Sequence, residues 1–200
     1  MDRIFQVGKL AEALSPGRLE RLESLLAELV PGQVPALVAY EILLQSYLFF
    51  GYAQAIEAAK VYARVVAPMR HPIHDSRPVE ANLDLWRARG QQLCRKIYAP
   101  NYERLVANMA EVSPELAAWM VEEGYGKVLS RPGPTELERE VASIIFLATS
   151  GHPVQLYSHV RGAKNLGVGK AVLVSIVEGS GLADHRLSLV RETIERVFAG

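Results

Sequence analysis

The chain has almost no cysteine, no net charge and no uninterrupted apolar run of membrane length. Cys94 is its single cysteine, which excludes an intrachain disulfide, a cysteine-pair redox centre and a zinc site built on several thiolates. Its 22 basic and 22 acidic residues cancel, so the broad positive field that holds nucleic acid or an anionic membrane is missing. The most apolar region, Val34 to Phe50, is interrupted by Glu41, Gln45 and Ser46 and reads as too short and too polar for a membrane span. The opening residues scatter Asp2, Arg3, Lys9, Glu12, Arg18 and Glu20 among apolar ones, so no secretory signal is expected and a cytoplasmic location is the default. No segment alternates apolar and polar residues over strand length.

What is present is helical. Two hundred residues, half of them hydrophobic, suffice for one domain with a real core. Ser15-Pro16 reads as an N-cap and first helical residue, followed by Leu19, Leu22, Leu25, Leu26 and Leu29 on one face. Residues 35–50 form a helix apolar nearly all round, which belongs in a core or a subunit interface. Gly51 interrupts it, and a further helix runs to about Val66. Prolines 68, 72 and 78 mark a linker over 67–78. Beyond it, helices are expected over 79–97, 102–112 and from Pro114 to about Gly124. Thr135 with Glu138 makes a capping box for a helix that ends at Gly151. Pro153 starts the next, which Gly167 closes, and two more fill 170–180 and 185–198. The fold class is therefore all-α. The pairs 35–66 and 170–198 share a character, an apolar helix, a glycine and a more charged helix.

The chemistry concentrates in few residues. His152, Gln155 and His159 follow one another at spacings of three and four at a helix start, and the preceding helix carries Glu140. If the two helices pack antiparallel across Gly151, Glu140 faces His159. A carboxylate on an imidazole fixes its tautomer and makes a proton relay; the plainer reading is a surface histidine beside an exposed glutamate. Glu41 and Gln45 lie one turn apart inside the most apolar helix, where a carboxylate needs a partner. It serves either as a structural contact or as a pocket carboxylate. The run His71-Pro72-Ile73-His74-Asp75 offers two imidazoles but no third ligand, so no metal is expected. Cys94 beside Arg95 and Lys96 reads as a packing residue. Gly167-Val168-Gly169-Lys170 lacks the spacing and the preceding strand of a phosphate loop.

Three ordered pieces, residues 125–133, Glu138-Arg139-Glu140 and residues 159–167, resemble the carboxymuconolactone decarboxylase family, part of the wider AhpD-like alkylhydroperoxidase superfamily. The segments 90–108 and 114–123 are similar to the decarboxylase N-terminal region, so the likeness covers about residues 90 to 180. In that family a Glu-to-Gln leucine-rich helix follows this core. Here the pattern comes early, as Glu41-Ile42-Leu43-Leu44-Gln45, and Ser175-Ile176-Val177-Glu178 stands in its place, a rearranged or doubled order. The peroxidase branch uses a Cys-x-x-Cys pair followed by His, with a glutamate relaying protons. Glu140 and His159 match the relay, but His152 and Gln155 stand where the two sulfurs would be, which excludes thiolate-based peroxide reduction there.

The resemblance implies a single AhpD-like helical bundle over 1–200, with helices 1–67 packing on a family-like core 79–200, and a homo-oligomer. It implies cofactor-free acid–base chemistry on a small carboxylated substrate. His159 and Glu140 would be catalytic, Arg161 would hold a carboxylate, and Glu41, His152 and Gln155 would line the substrate site. The alternative is a non-catalytic binding or assembly module on the same fold.

Overall fold

A computed structural model describes residues 2–30, 32–66 and 79–200. Its regular elements are helices: α1 (Asp2–Ala13), α2 (Leu19–Leu29), α3 (Ala36–Val65), α4 (Val79–Tyr98), α5 (Tyr102–Val112), α6 (Pro114–Trp119), a π-helix (Met120–Leu129), α7 (Glu136–Ser150), α8 (Pro153–Asn165), α9 (Lys170–Glu178) and α10 (Asp184–Ala199). A 3₁₀ turn, Ala99–Asn101, joins α4 to α5. No strand occurs among the described residues, and the chain is all-α.

The first helix precedes the expected one. Ser15-Pro16 does not cap α2, which starts at Leu19 behind Arg18. The backbone is still closing α1 there, with Leu14 N–H on the Leu10 carbonyl and Ser15 N–H on that of Glu12. Gly17 then turns the chain at φ 79°. The leucine face itself is as expected: Leu22, Leu25, Leu26 and Leu29 are buried.

α3 is a helical hairpin. Gly51, at φ 78° and ψ 172°, breaks the helix where a side chain would be strained. A straight helix would separate residues 40 and 62 by about 33 Å. Instead the Tyr40 and Tyr62 rings lie 5.5 Å apart, and Tyr62 Oη donates to the Ala36 carbonyl at 2.9 Å. By length and composition α3 could cross a membrane. Folded at Gly51, however, its first arm, 36–50, falls short of the ~20 residues a span needs.

The chain divides into two compact units. The larger holds α1–α3 and α7–α10, and the smaller holds α4–α6 with the π-helix. The N-terminal helices pack on α7 and α9, while α4 packs on the π-helix. The expected linker over 67–78 lies outside the described residues.

In the smaller unit, glycines fix the packing. A Cβ on Gly126 would sit 1.9 Å from the Trp86 carbonyl oxygen, and one on Gly90 would sit 1.9 Å from that of Val121. α4 and the π-helix thus touch backbone to backbone. The helix expected to end near Gly124 continues to Leu129 with its hydrogen bonds lengthened by a residue, as in Ser130 N–H to the Tyr125 carbonyl at 2.9 Å.

In the larger unit α7 is the axis. The capping box at Thr135 and Glu138 forms, and Gly151 ends the helix in the left-handed region at φ 78°. Every residue from Glu138 to Ala148 is buried, so α7 meets neighbours on all sides, and α1, α3, α8 and α10 all contact it.

Candidate functional site: three charges on the central helix

Three consecutive charged residues, Glu138, Arg139 and Glu140, are each no more than 3% exposed. Successive residues on a helix point about 100° apart, so each addresses a different neighbour. Glu138 takes two hydrogen bonds from Arg3 on α1, at 2.5 and 2.9 Å, while also closing its own capping box. The same pairing holds the Arg3 guanidinium above its usual pKa. Arg139 donates to Glu41 Oε2 at 3.1 Å and to Gln45 Oε1 at 3.3 Å, both on α3. Glu140 Oε2 lies 2.9 Å from His159 Nδ1 on α8.

The α3 side of this arrangement is a stripe of period four. Glu41 meets Arg139, Gln45 Nε2 donates to the Arg139 carbonyl and to Ser143 Oγ, and the Phe49 ring lies 5.2 Å from that of Phe146. Contacts advance along both helices together, so this arm of α3 runs parallel to α7. Phe49 also stands edge-on to His159, at 6.4 Å between ring centres. A single face of α3 therefore supports both the buried Glu41–Arg139 pair and the imidazole.

The antiparallel turn at Gly151 brings α8 back along α7, which is what lets Glu140 and His159 meet. Pro153 at the first helical position and Gly167, at φ 90°, bound α8 as the sequence reading expects. The Glu140 side chain is 1% exposed and that of His159 12%. With its Nδ1 engaged, the imidazole has Nε2 left, which makes no hydrogen bond to any described residue. A carboxylate on one ring nitrogen orients the ring and selects the tautomer at the other.

The other expected site residues lie differently. His152 and Gln155 are exposed and make no side-chain hydrogen bond among the described residues. Arg161 is half-buried on α8 and forms no ion pair among them. Glu41 is sealed against Arg139, as a buried carboxylate demands. His71 and His74 lie outside the described residues, among which no three His, Cys, Asp or Glu residues cluster as a metal site would. Cys94 is buried within α4. Arg139, Ser143 and Arg3 are additions. A charge triplet directly ahead of the run Val141–Ala148, apolar but for Ser143, is the sequence signal that could have found Arg139; nothing local marks Arg3.

Of two surface hollows lined by described residues, His159 lines neither. One lies between α1 and α9, beside Lys9 and Ser175; the other is in the smaller unit, beside Tyr102. No protein-family model matches this chain, and no curated protein matches it.

Proposed function

We propose that the chain is a cofactor-free acid–base enzyme of the carboxymuconolactone decarboxylase type, on an AhpD-like bundle that works as a cytoplasmic homo-oligomer. The reading rests on one observation: His159 Nδ1 is 2.9 Å from a carboxylate that is itself shut away from water, while Nε2 is uncommitted among the described residues. In this role Glu140 holds the ring and Nε2 carries the proton. A small carboxylated lactone loses CO2 by cleavage of its C–C bond, and the electron pair left behind takes the proton from Nε2. Solvent then reprotonates the ring. Arg161 is the cation that receives the substrate carboxylate.

The test is turnover of small carboxylated lactones in D2O, followed by proton NMR, with one deuterium appearing at the carbon that lost CO2. His159→Ala is expected to abolish turnover and Glu140→Gln to lower kcat by 10²-fold or more, both with unchanged helix content. Equal turnover by His159→Ala removes the assignment.

A second reading, a non-catalytic helical module, is favoured by the neighbouring pairs. Glu138–Arg3 and Arg139–Glu41 tie α7 to α1 and α3, and Glu140–His159 is then the third such tie, to α8. It predicts no turnover of any lactone, with His159→Ala reducing only stability.

A further inference from the structure

The smaller unit contains a hollow of about 310 Å³ walled by α4, α5 and the segment from Pro114 to Glu122. A volume of that order holds a molecule of one ring. Its apolar lining comes from short side chains, Val106, Ala110, Ala117, Ala118 and Val121. Such short side chains leave a shallow, open slot with room for a flat ring.

Four polar residues line the same hollow: Arg87, Gln91, Tyr102 and Glu122. Arg87 and Glu122 are already paired, with Nε to Oε1 at 2.8 Å and Nη2 to Oε1 at 2.7 Å. A carboxylate entering the slot would have to compete with Glu122 for the guanidinium, and an ammonium would have to compete with Arg87. The slot therefore presents no uncommitted charge of either sign from this pair.

Tyr102 supplies the direction. It is only 5% exposed, and Arg95 covers its ring at 4.9 Å. Its hydroxyl makes no hydrogen bond to any described residue, yet it is not among their sealed-off side-chain polar atoms. Tyr102 is one of the residues that line the hollow. A phenol hydroxyl that is not engaged by the protein can donate to an oxygen placed within its reach.

We infer that this hollow is a binding site for a small neutral single-ring aromatic molecule bearing an oxygen, a phenol or an aryl ketone, with Tyr102 Oη donating to that oxygen. The inference is independent of His159 and its chemistry.

The test uses the full chain, with phenol, toluene, benzoate and benzylamine as probes, read by calorimetry and by amide shifts in NMR. Phenol is expected to bind and to move amides at 87–91, 102–110 and 117–122. Benzoate and benzylamine should bind at least tenfold more weakly. Tyr102→Phe should weaken phenol about fivefold, the worth of one hydrogen bond, and leave toluene unchanged. Ala118→Phe, at an exposed wall position that tolerates a larger side chain, should abolish both. Phenol shifts absent or located elsewhere would overturn the site. Equal binding of phenol by Ala118→Phe would do the same. Benzoate or benzylamine binding as tightly as phenol would overturn the ligand class, and an equal loss of toluene in Tyr102→Phe would overturn the role of the hydroxyl.

Discussion

Around α7 the larger unit packs side chain against side chain, and its tightest contacts are ionic. Where α4 crosses the π-helix, the smaller unit packs backbone against backbone, and its tightest contacts involve residues with no side chain. Arg139 fills the space between α7 and α3 and fixes their register by charge; Gly90 and Gly126 fix the register of α4 and the π-helix by having nothing to displace. Both are ways of making two helices meet at one offset and no other. They fail differently. A glycine contact is lost by adding one carbon, an ionic contact by removing one partner.

The most damaging change should therefore be Gly126→Ala. The new carbon would lie 1.9 Å from the Trp86 carbonyl oxygen, so the backbones would have to part by more than an ångström, against a cost that already reaches about 1–3 kcal/mol in milder overpacking. We expect hydrogen-exchange protection to be lost throughout 82–129. Retention of that protection would show that the crossing is looser than a backbone contact.

Arg139→Met should come next. It leaves the Glu41 carboxylate, 1% exposed, without its guanidinium, a loss of about 3–5 kcal/mol in urea denaturation. Adding Glu41→Leu should recover most of it, because the cost lies in the stranded charge rather than in the missing bond. A single variant within about 1 kcal/mol of the parent would mean that the Glu41–Arg139 pair adds little to the α3–α7 interface.

The two units were also unequally legible. In the larger, local chemistry spells out the ends of α7 and α8: Thr135 and Glu138, Gly151, Pro153 and Gly167 all act where their side chains or φ values require. From those ends alone the antiparallel α7–α8 pair follows, and with it the Glu140–His159 contact. The partner of Glu41 does not follow, because Arg139 is 98 residues away and periodicity reveals which face is buried, not what it faces. Nor does the tie from Glu138 to Arg3, since α1 itself carries no cap or breaker that sets it apart. In the smaller unit almost nothing decisive is local. The two glycines that matter look like helix-weakening residues until their opposite backbones are known, and a ten-residue π-helix shares its composition with an α-helix. The division of the chain into two units depends on those same long-range contacts.

Two tyrosines carry the comparison to its smallest effect. Tyr62, in the larger unit, has its hydroxyl on the Ala36 carbonyl and is 5% exposed; burial first, and the neighbouring Tyr40 second, push its pKa up to about 12. Tyr102, in the smaller unit, is raised by burial first and then by Cys94, but its hydroxyl has no partner among the described residues. A phenol whose pKa is higher folded than unfolded favours the fold fully below the unfolded value of about 10. As pH rises from there, the unfolded chain ionises first, and the contribution is gone once pH passes the folded value. Stability of the larger unit should therefore fall between pH 10 and about 12. Tyr62→Phe should cost about 1 kcal/mol near pH 8, the net worth of its hydrogen bond, and that deficit should shrink across the same alkaline window, because phenylalanine has no proton to lose. The measurement is the difference between parent and variant in urea midpoint as a function of pH. A constant difference from pH 9 to 12 would mean that the tie between the arms of the α3 hairpin is too open to water to resist ionisation, and that the hairpin is closed by ring packing against Tyr40 alone.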